Sequence, residues 1–518
     1  MKDLFIVKAV KNNAIIPLFV IAFFVHVFCS FIGWNNNLID IHGFRQTQTA
    51  ISVYYLIQEG FKINYITPVL GAPWSIPFEF PIYHWVVALI VVIFHFPVDQ
   101  SGRFVSLLFF YSSLLTSYAF LRLFIKNRNK VLLILIFVLL NPIYLFWSRT
   151  FLMESTALFF GISYCYFSTK FFISKKKIFL VLAAFFGIFG ILTKITTFSI
   201  FLILNGILFV VFYRTAFGDV CKSLNIKKIK VVSLIVYVIF LTPIVCGLSW
   251  TKFADVQKQT NPLARNFIDS KSLSVWNFGT INQKIDPKVW EGIFKNATLA
   301  YFPLGSIDFF GLFGIPSLLI ILLLFSIIKN KYRKEIGISL ALFLSGPLIF
   351  TNLYFVHNYY SYANSIFLSV AVGLACASLL ESKIKYKNTI SLVIIVFFGL
   401  SNLYSYGNTY YYSQKNGTSQ YIIKLADFIR KNTNEDDVIM IFDMDWDPSL
   451  SYYSERRSIM VRGSFSEKQV DESLANLGGR KVSAIVKGVI TPPAFGNKRY
   501  ACDDPDFVDG GYSVCLVK

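Results

Sequence analysis

Apolar runs long enough to cross a bilayer recur along the chain, separated by short clusters of lysine and arginine, and that alternation leaves few folds open. The runs are 14–33, 104–121, 131–147, 156–173, 178–192, 195–213, 231–249, 311–328, 336–352, 363–380 and 389–403. Their basic connections are Lys2/Lys8/Lys11 and the segments 122–130, 175–177, 222–230, 329–334 and 383–387. With every basic cluster on the cytoplasmic side, about eleven crossings thread without contradiction, N-terminus inside and C-terminus outside. The expected fold is therefore an all-α polytopic membrane domain in the cell's inner (plasma) membrane. Composition agrees: 55% of the 518 residues are hydrophobic and only 15% charged, too apolar for a soluble chain of this length. A net charge of +20 would suit nucleic acid, but the cations sit between apolar runs and not on one basic face, so no nucleic-acid partner is expected. The first run ends in no small-residue cleavage motif and reads as a retained helix.

The segment 82–98, IYHWVVALIVVIFHFPV, tests this map. Counted as a crossing, it would place the 122–130 cluster outside. It is short for about 30 Å of hydrocarbon and carries His84, His95 and Pro97. The charge pattern favours an embedded helix that returns to the outer side. Large outer loops then cover 34–103 and 250–302, with smaller ones at 148–155 and 353–362. After residue 404 the chain turns polar. SQYIIKLADFIRKNT has helical spacing with Ser419 at the cap, and DDVIMIFD is a short apolar strand. Two domains are expected: a membrane domain over 1–404 and an extracytoplasmic α/β domain over 405–518. Cys502 and Cys515 flank a polar segment there and are the one pair that reads as a disulfide in an oxidising compartment.

No P-loop, GxGxxG, CxxC or HExxH is present. What remains is a set of ionisable groups on the expected outer side: Asp40, His42, Arg45 and Glu79 in the first loop, Arg149 and Glu154 in the second, then Lys194 and His357. Each has a structural reading. Arg45 could pair with Asp40 or reach headgroups, Glu154 could be a helix-start acid, and Lys194 could anchor at the interface.

Taken together, the stretches HGFRQTQTA, FEFPIYHWVVA, SGRFVSLLF, SRTFLMESTALFF, ILTKITT, WNFGTINQK and VHNYY resemble the GT-C glycosyltransferases, over most of the first 400 residues. Within these, the resemblance is to the bacterial branch related to protein O-mannosyltransferases and the lipid A aminoarabinose transferase. It implies a membrane enzyme that moves a sugar from a polyprenyl-phosphate carrier to a cell-envelope glycan, lipid or protein on the outer side. Arg45 and Lys194 would contact the carrier phosphate, Glu79 would organise the site, in some relatives through a metal, and Glu154 would be a second functional acid. Gln46, Tyr83, Arg149, His357 and Tyr360 fall in matching stretches and are expected substrate contacts. One departure matters: where relatives carry an Asp-Glu pair three residues before the arginine, this chain has His42-Gly43.

The chemistry accounts for the residue types. A leaving lipid phosphate gathers negative charge that fixed cations must meet. An attacking hydroxyl must lose its proton to a carboxylate or imidazole, for which Asp40 is the first choice and His42 the second. A divalent ion held by Glu79 and His357 is the one metal site suggested, on two ligands only. The rival reading is a flippase or transporter for lipid-linked saccharides, in which charges would line a mid-membrane path.

Overall fold

The structure, a computed structural model, describes residues 15–217, 232–293, 326, 331–488, 502 and 504–517. The expected run 311–328 lies, apart from Ser326, outside these. The fold is an all-α polytopic membrane region with an α/β region near the C-terminus. Among the described residues five helical stretches are long and apolar enough to cross a membrane: Val98–Leu121, Ile195–Phe212, Val232–Gln259, Asn358–Glu381 and Lys387–Asn432. Shorter apolar helices are Ile15–Phe31, Ile82–Phe94 and Lys177–Thr193. At 1.5 Å per residue the 13-residue helix Ile82–Phe94 reaches only about 20 Å, too little to span.

The chain divides into two compact units. The first comprises Met1–Trp34, Ser106–Gly247 and Val275–Tyr412; the second comprises Asn35–Val105, Leu248–Ser274 and Ser413–Lys518. The first unit is helical. Its most enclosed stretch of membrane-crossing length is the one containing helix Tyr362–Glu381, which packs on Arg128–Leu139 and Arg333–Ile349. Helix Glu154–Ser174 packs against Lys177–Thr193 and Ile195–Phe217, closely enough that a Cβ at Gly161 would lie 2.4 Å from the Phe201 ring. The run 131–147, expected as one helix, is two: Arg128–Leu139 and Pro142–Trp147. Pro142 has no N–H to continue the ladder, and the Asn141 side chain accepts the Ile143 N–H at 3.0 Å to start the second helix.

The second unit is built on a five-stranded sheet: β1 Val438–Phe442, β2 Arg457–Val461, β3 Val482–Gly488, β4 Phe507–Asp509 and β5 Tyr512–Leu516, in the order β2-β1-β3-β5-β4. β1 runs parallel to β2 and β3, with Met440 opposite Ile459 and Ile485, and every residue of β1 and β2 is buried, as in sheets covered on both faces. β4 and β5 form a hairpin through Gly510-Gly511, both at positive φ, the geometry a two-residue turn requires. Helix Gln420–Asn432 buries Ile422, Leu425, Ala426 and Ile429, one apolar stripe. Ser419 holds its cap position but makes no side-chain capping bond.

The first loop joins this sheet. Ser458 and Met460 donate backbone N–H groups to Pro68 (2.9 Å) and Val69 (3.0 Å), and Gly71 donates to Ser458 (2.9 Å), setting Leu70 against Ile459 in an isolated antiparallel bridge beside β2. Gly71 has φ +70°, and a Cβ there would meet the Ser473 Oγ at 1.8 Å. The Asn261 amide lies 3.1, 2.9 and 3.0 Å from the carbonyl oxygens of Leu70, Gly71 and Pro73.

Cys502 and Cys515 are bonded, with Cα atoms 5.6 Å apart. Closing so short a loop contributes roughly 3 kcal/mol. Mass spectrometry of unreduced protein should therefore recover the linked peptide, and reduction should lower the melting temperature of the purified protein. Two free thiols in protein taken directly from membranes would contradict this.

Candidate functional site

The sequence-derived residues fall into two sets, one in each unit. In the second unit, helix Gly43–Glu59 begins immediately after His42, which is left-handed (φ 54°, ψ 40°). The start of this helix accounts for the glycine of the His-Gly departure. A Cβ at Gly43 would lie 2.8 Å from the Leu38 carbonyl oxygen, so a side chain there forces the backbone to move. Asp40, buried, accepts from the Gln46 amide, which also donates to the Ile41 carbonyl at 3.2 Å. Arg45 donates to Gln48 and stands 3.6 Å from the Glu79 carboxylate, both side chains keeping about a fifth of their surface exposed (18% and 22%). Glu79 is held by its backbone: the buried Tyr65 hydroxyl donates to its carbonyl at 3.0 Å and accepts the Phe78 N–H at 2.9 Å. Tyr83 is wholly enclosed and donates to the Gly102 carbonyl at 2.9 Å.

An aromatic wall backs this set. Trp446 packs on Phe44 (5.0 Å), Phe78 (5.8 Å) and Phe267 (5.7 Å), drawing on all three segments of the unit. Lys258 is buried with its ammonium 4.9 Å from the Phe78 ring, and among the described residues it has no carboxylate within ion-pair distance. Sequence reasoning missed it, because a lysine near the start of a long outer loop reads as solvated. Its i−4 neighbour Ala254, apolar and on the same helix face, was the available signal of a packed helix.

In the first unit, Glu154 opens helix Glu154–Ser174, and Lys194 lies at the break between Lys177–Thr193 and Ile195–Phe217. The two are ion-paired and almost fully buried, with side-chain exposures of 3% and 6%. The Lys194 ammonium also sits over the rings of Tyr360 (4.3 Å) and Tyr359 (5.3 Å). His357 stacks on Tyr359 at 5.2 Å and meets Trp276 at 6.1 Å. Arg149, fully buried, donates to the Ile32 carbonyl at 2.9 Å. The structure thus brings Glu154, Lys194, Tyr360 and His357 into one aromatic-lined cluster, and Asp40, Gln46, Arg45 and Glu79 onto one helix start and the loop beside it.

Among the described residues no group of three or more His, Cys, Asp or Glu side chains is arranged to hold a metal ion. Glu79 faces a guanidinium and His357 is packed among aromatic rings, surroundings that do not fit a divalent ion, and no step is built on one.

Burial, and then the Arg45 cation, pushes the His42 pKa down to about 4. Its imidazole is neutral at physiological pH and can accept a proton. The unfolded chain binds that proton near pH 6.5, so stability from this group is complete above about 6.5 and is lost as pH falls toward about 4. Wild-type protein should therefore lose more melting temperature than His42→Gln over that window; parallel losses would mean that His42 is not depressed.

No family model and no curated protein matches the chain. Solved structures do. The chain is similar to the crystal structure of ArnT from Cupriavidus metallidurans bound to undecaprenyl phosphate, with 12% identity, a TM-score of 0.59 and coverage of 92% of this chain and 93% of that one. It is also similar to the apo form of the same ArnT, at 11% identity, a TM-score of 0.56 and 97% of each chain. At such identity the likeness is one of fold over nearly the whole length.

Proposed function

We propose that this chain is an integral membrane glycosyltransferase that takes a sugar from a polyprenyl-phosphate carrier and passes it to an envelope glycan, lipid or protein on the outer side of the membrane. One observation carries the reading. Arg45 and Glu79, which the sequence places in two separate stretches resembling GT-C enzymes, meet at 3.6 Å inside a fold shared with an ArnT solved with undecaprenyl phosphate. In this reading the acceptor oxygen attacks the anomeric carbon, the bond from that carbon to the phosphate oxygen breaks, and the phosphate leaves with the electron pair. Arg45 meets the growing charge on the phosphate, with buried Lys258 as a further cation in the same unit. Asp40, oriented by Gln46, takes the acceptor proton, and His42 is the alternative. A single displacement inverts the sugar and leaves no covalent sugar on the protein. The Glu154–Lys194 pair is assigned as a second charged element serving the reaction.

The direct test incubates purified protein with radiolabelled polyprenyl-phosphate sugars and scores both transfer and release to water. Movement of the carrier sugar across vesicles with neither transfer nor release would favour a flippase. The outer-side assignment has its own test: a cysteine placed at exposed Lys62 should react with an impermeant reagent from outside, and one at Lys126 only from the cytoplasm. Outside labelling at Lys126 would make 82–98 a true crossing.

A further inference from the structure

The second unit holds a cavity of about 350 Å³ that none of the roles above uses, within the range of small-ligand sites. Its floor is the Asp99 carboxylate, which accepts from the hydroxyls of Tyr452 (2.6 Å) and Tyr453 (3.1 Å). One wall is Tyr54, whose hydroxyl donates to Glu455 at 3.3 Å, and at the rim Arg430 donates to the same carboxylate at 3.3 Å. Asn35 and Asn37 also line the cavity. The backbone at these asparagines is fixed: buried Arg103 donates to the carbonyls of Asn36 (2.6 Å) and Asn37 (3.3 Å), and the Asn36 amide donates to Lys415 (2.6 Å) and Gln414 (3.1 Å). The amides of Asn35 and Asn37 make no hydrogen bond of their own among the described residues.

The chemistry of the walls selects the ligand. Two carboxylates outnumber one guanidinium, which is already engaged by Glu455 and by Asp427 at 2.8 Å, so an anion finds no open cation. Amides supply donors and acceptors together, carboxylates accept, and the tyrosine rings and Pro97 offer flat apolar faces. Those groups suit a neutral molecule dense in hydroxyls. Pro97 follows Phe96, and both Phe94 and Phe96 are about half exposed (56% and 49%) at the end of an apolar helix, which places the ligand at a membrane surface. We infer that this cavity binds a neutral saccharide presented at the membrane surface. Its assignment as the glycan of the acceptor rests on the transferase reading; its binding does not.

The test uses the full chain in detergent, fluorescently labelled, on an array of short neutral oligosaccharides with sialylated and phosphorylated glycans as comparators. The double variant Asn35→Ala/Asn37→Ala removes amides that hold no part of the fold, so its melting temperature should be unchanged. Wild type should retain a neutral class of glycan over the charged ones, and the double variant should bind it about tenfold more weakly or worse. A preference for charged glycans, or no neutral glycan held more tightly by wild type than by the double variant, overturns the inference. Donor assays separate the two readings. With a working transferase, the double variant should still release sugar to water while transferring less to the acceptor; equal transfer removes the cavity from the acceptor path. Glycan binding in a protein that never turns over a donor leaves the cavity standing and removes the transferase.

Discussion

Asp40→Asn is expected to lower turnover roughly a hundredfold or more, the usual scale for a lost general base, while donor binding stays near normal. The substitution is a clean one. An asparagine oxygen can still accept from the Gln46 amide, so the start of helix Gly43–Glu59 keeps its internal bond while the proton acceptor is gone. Arg45→Ala should fail differently, by about a hundredfold or more in use of the donor, because the proposed reaction then lacks the cation that meets the leaving phosphate. Arg45→Lys should recover only part, since the two-pronged guanidinium is replaced by a point charge. Steady-state rates with a labelled donor, split into affinity and turnover, distinguish these outcomes. If Asp40→Asn and His42→Gln both keep wild-type turnover, the base lies elsewhere and Glu154 is next to be tested.

The second large effect is on stability. Lys194→Met leaves the Glu154 carboxylate enclosed without its cation, which typically costs roughly 3–5 kcal/mol. The double variant Glu154→Gln/Lys194→Met removes both charges and should recover most of that loss. Thermal unfolding in detergent reads both. A Lys194→Met protein that melts like wild type would mean that Glu154 is not held as an enclosed anion. Activity of the refolded-to-stability double variant then reports what the pair does beyond holding the helices.

Much of this was legible in the sequence, for identifiable reasons. Apolar runs and basic clusters report helices directly, because lipid tolerates little else. The amphipathic stripe of Gln420–Asn432 and the apolar run of β1 were equally plain. The break inside 131–147 was signalled by Asn141-Pro142, a turn-forming pair that a hydropathy count passes over. The bridge at Leu70 was not legible, since its pairing with β2 is backbone to backbone and PVLG carries no mark of a partner. Nor was the role of Asn261, one amide among many in a polar loop, until three carbonyls converged on it. At the candidate site, residue types pointed to Asp40, Arg45 and Glu79, but the 3.6 Å meeting of the last two depends on a turn whose geometry is set by Tyr65.

The seam between the first loop and β2 also imposes a schedule on the making of this protein. Pro68 and Ser458, which bond across it, lie 390 residues apart. At roughly 5–20 residues per second, the loop bearing Asp40 and Arg45 waits on the order of 20–80 seconds for the strand that fixes it. During that interval the newborn chain already has its early helices but a first loop not yet pinned by β2. A ribosome that stops short of β2 therefore releases a protein full of helix whose first loop lacks the strand that fixes it, and quality control that inspects only the helices would pass it.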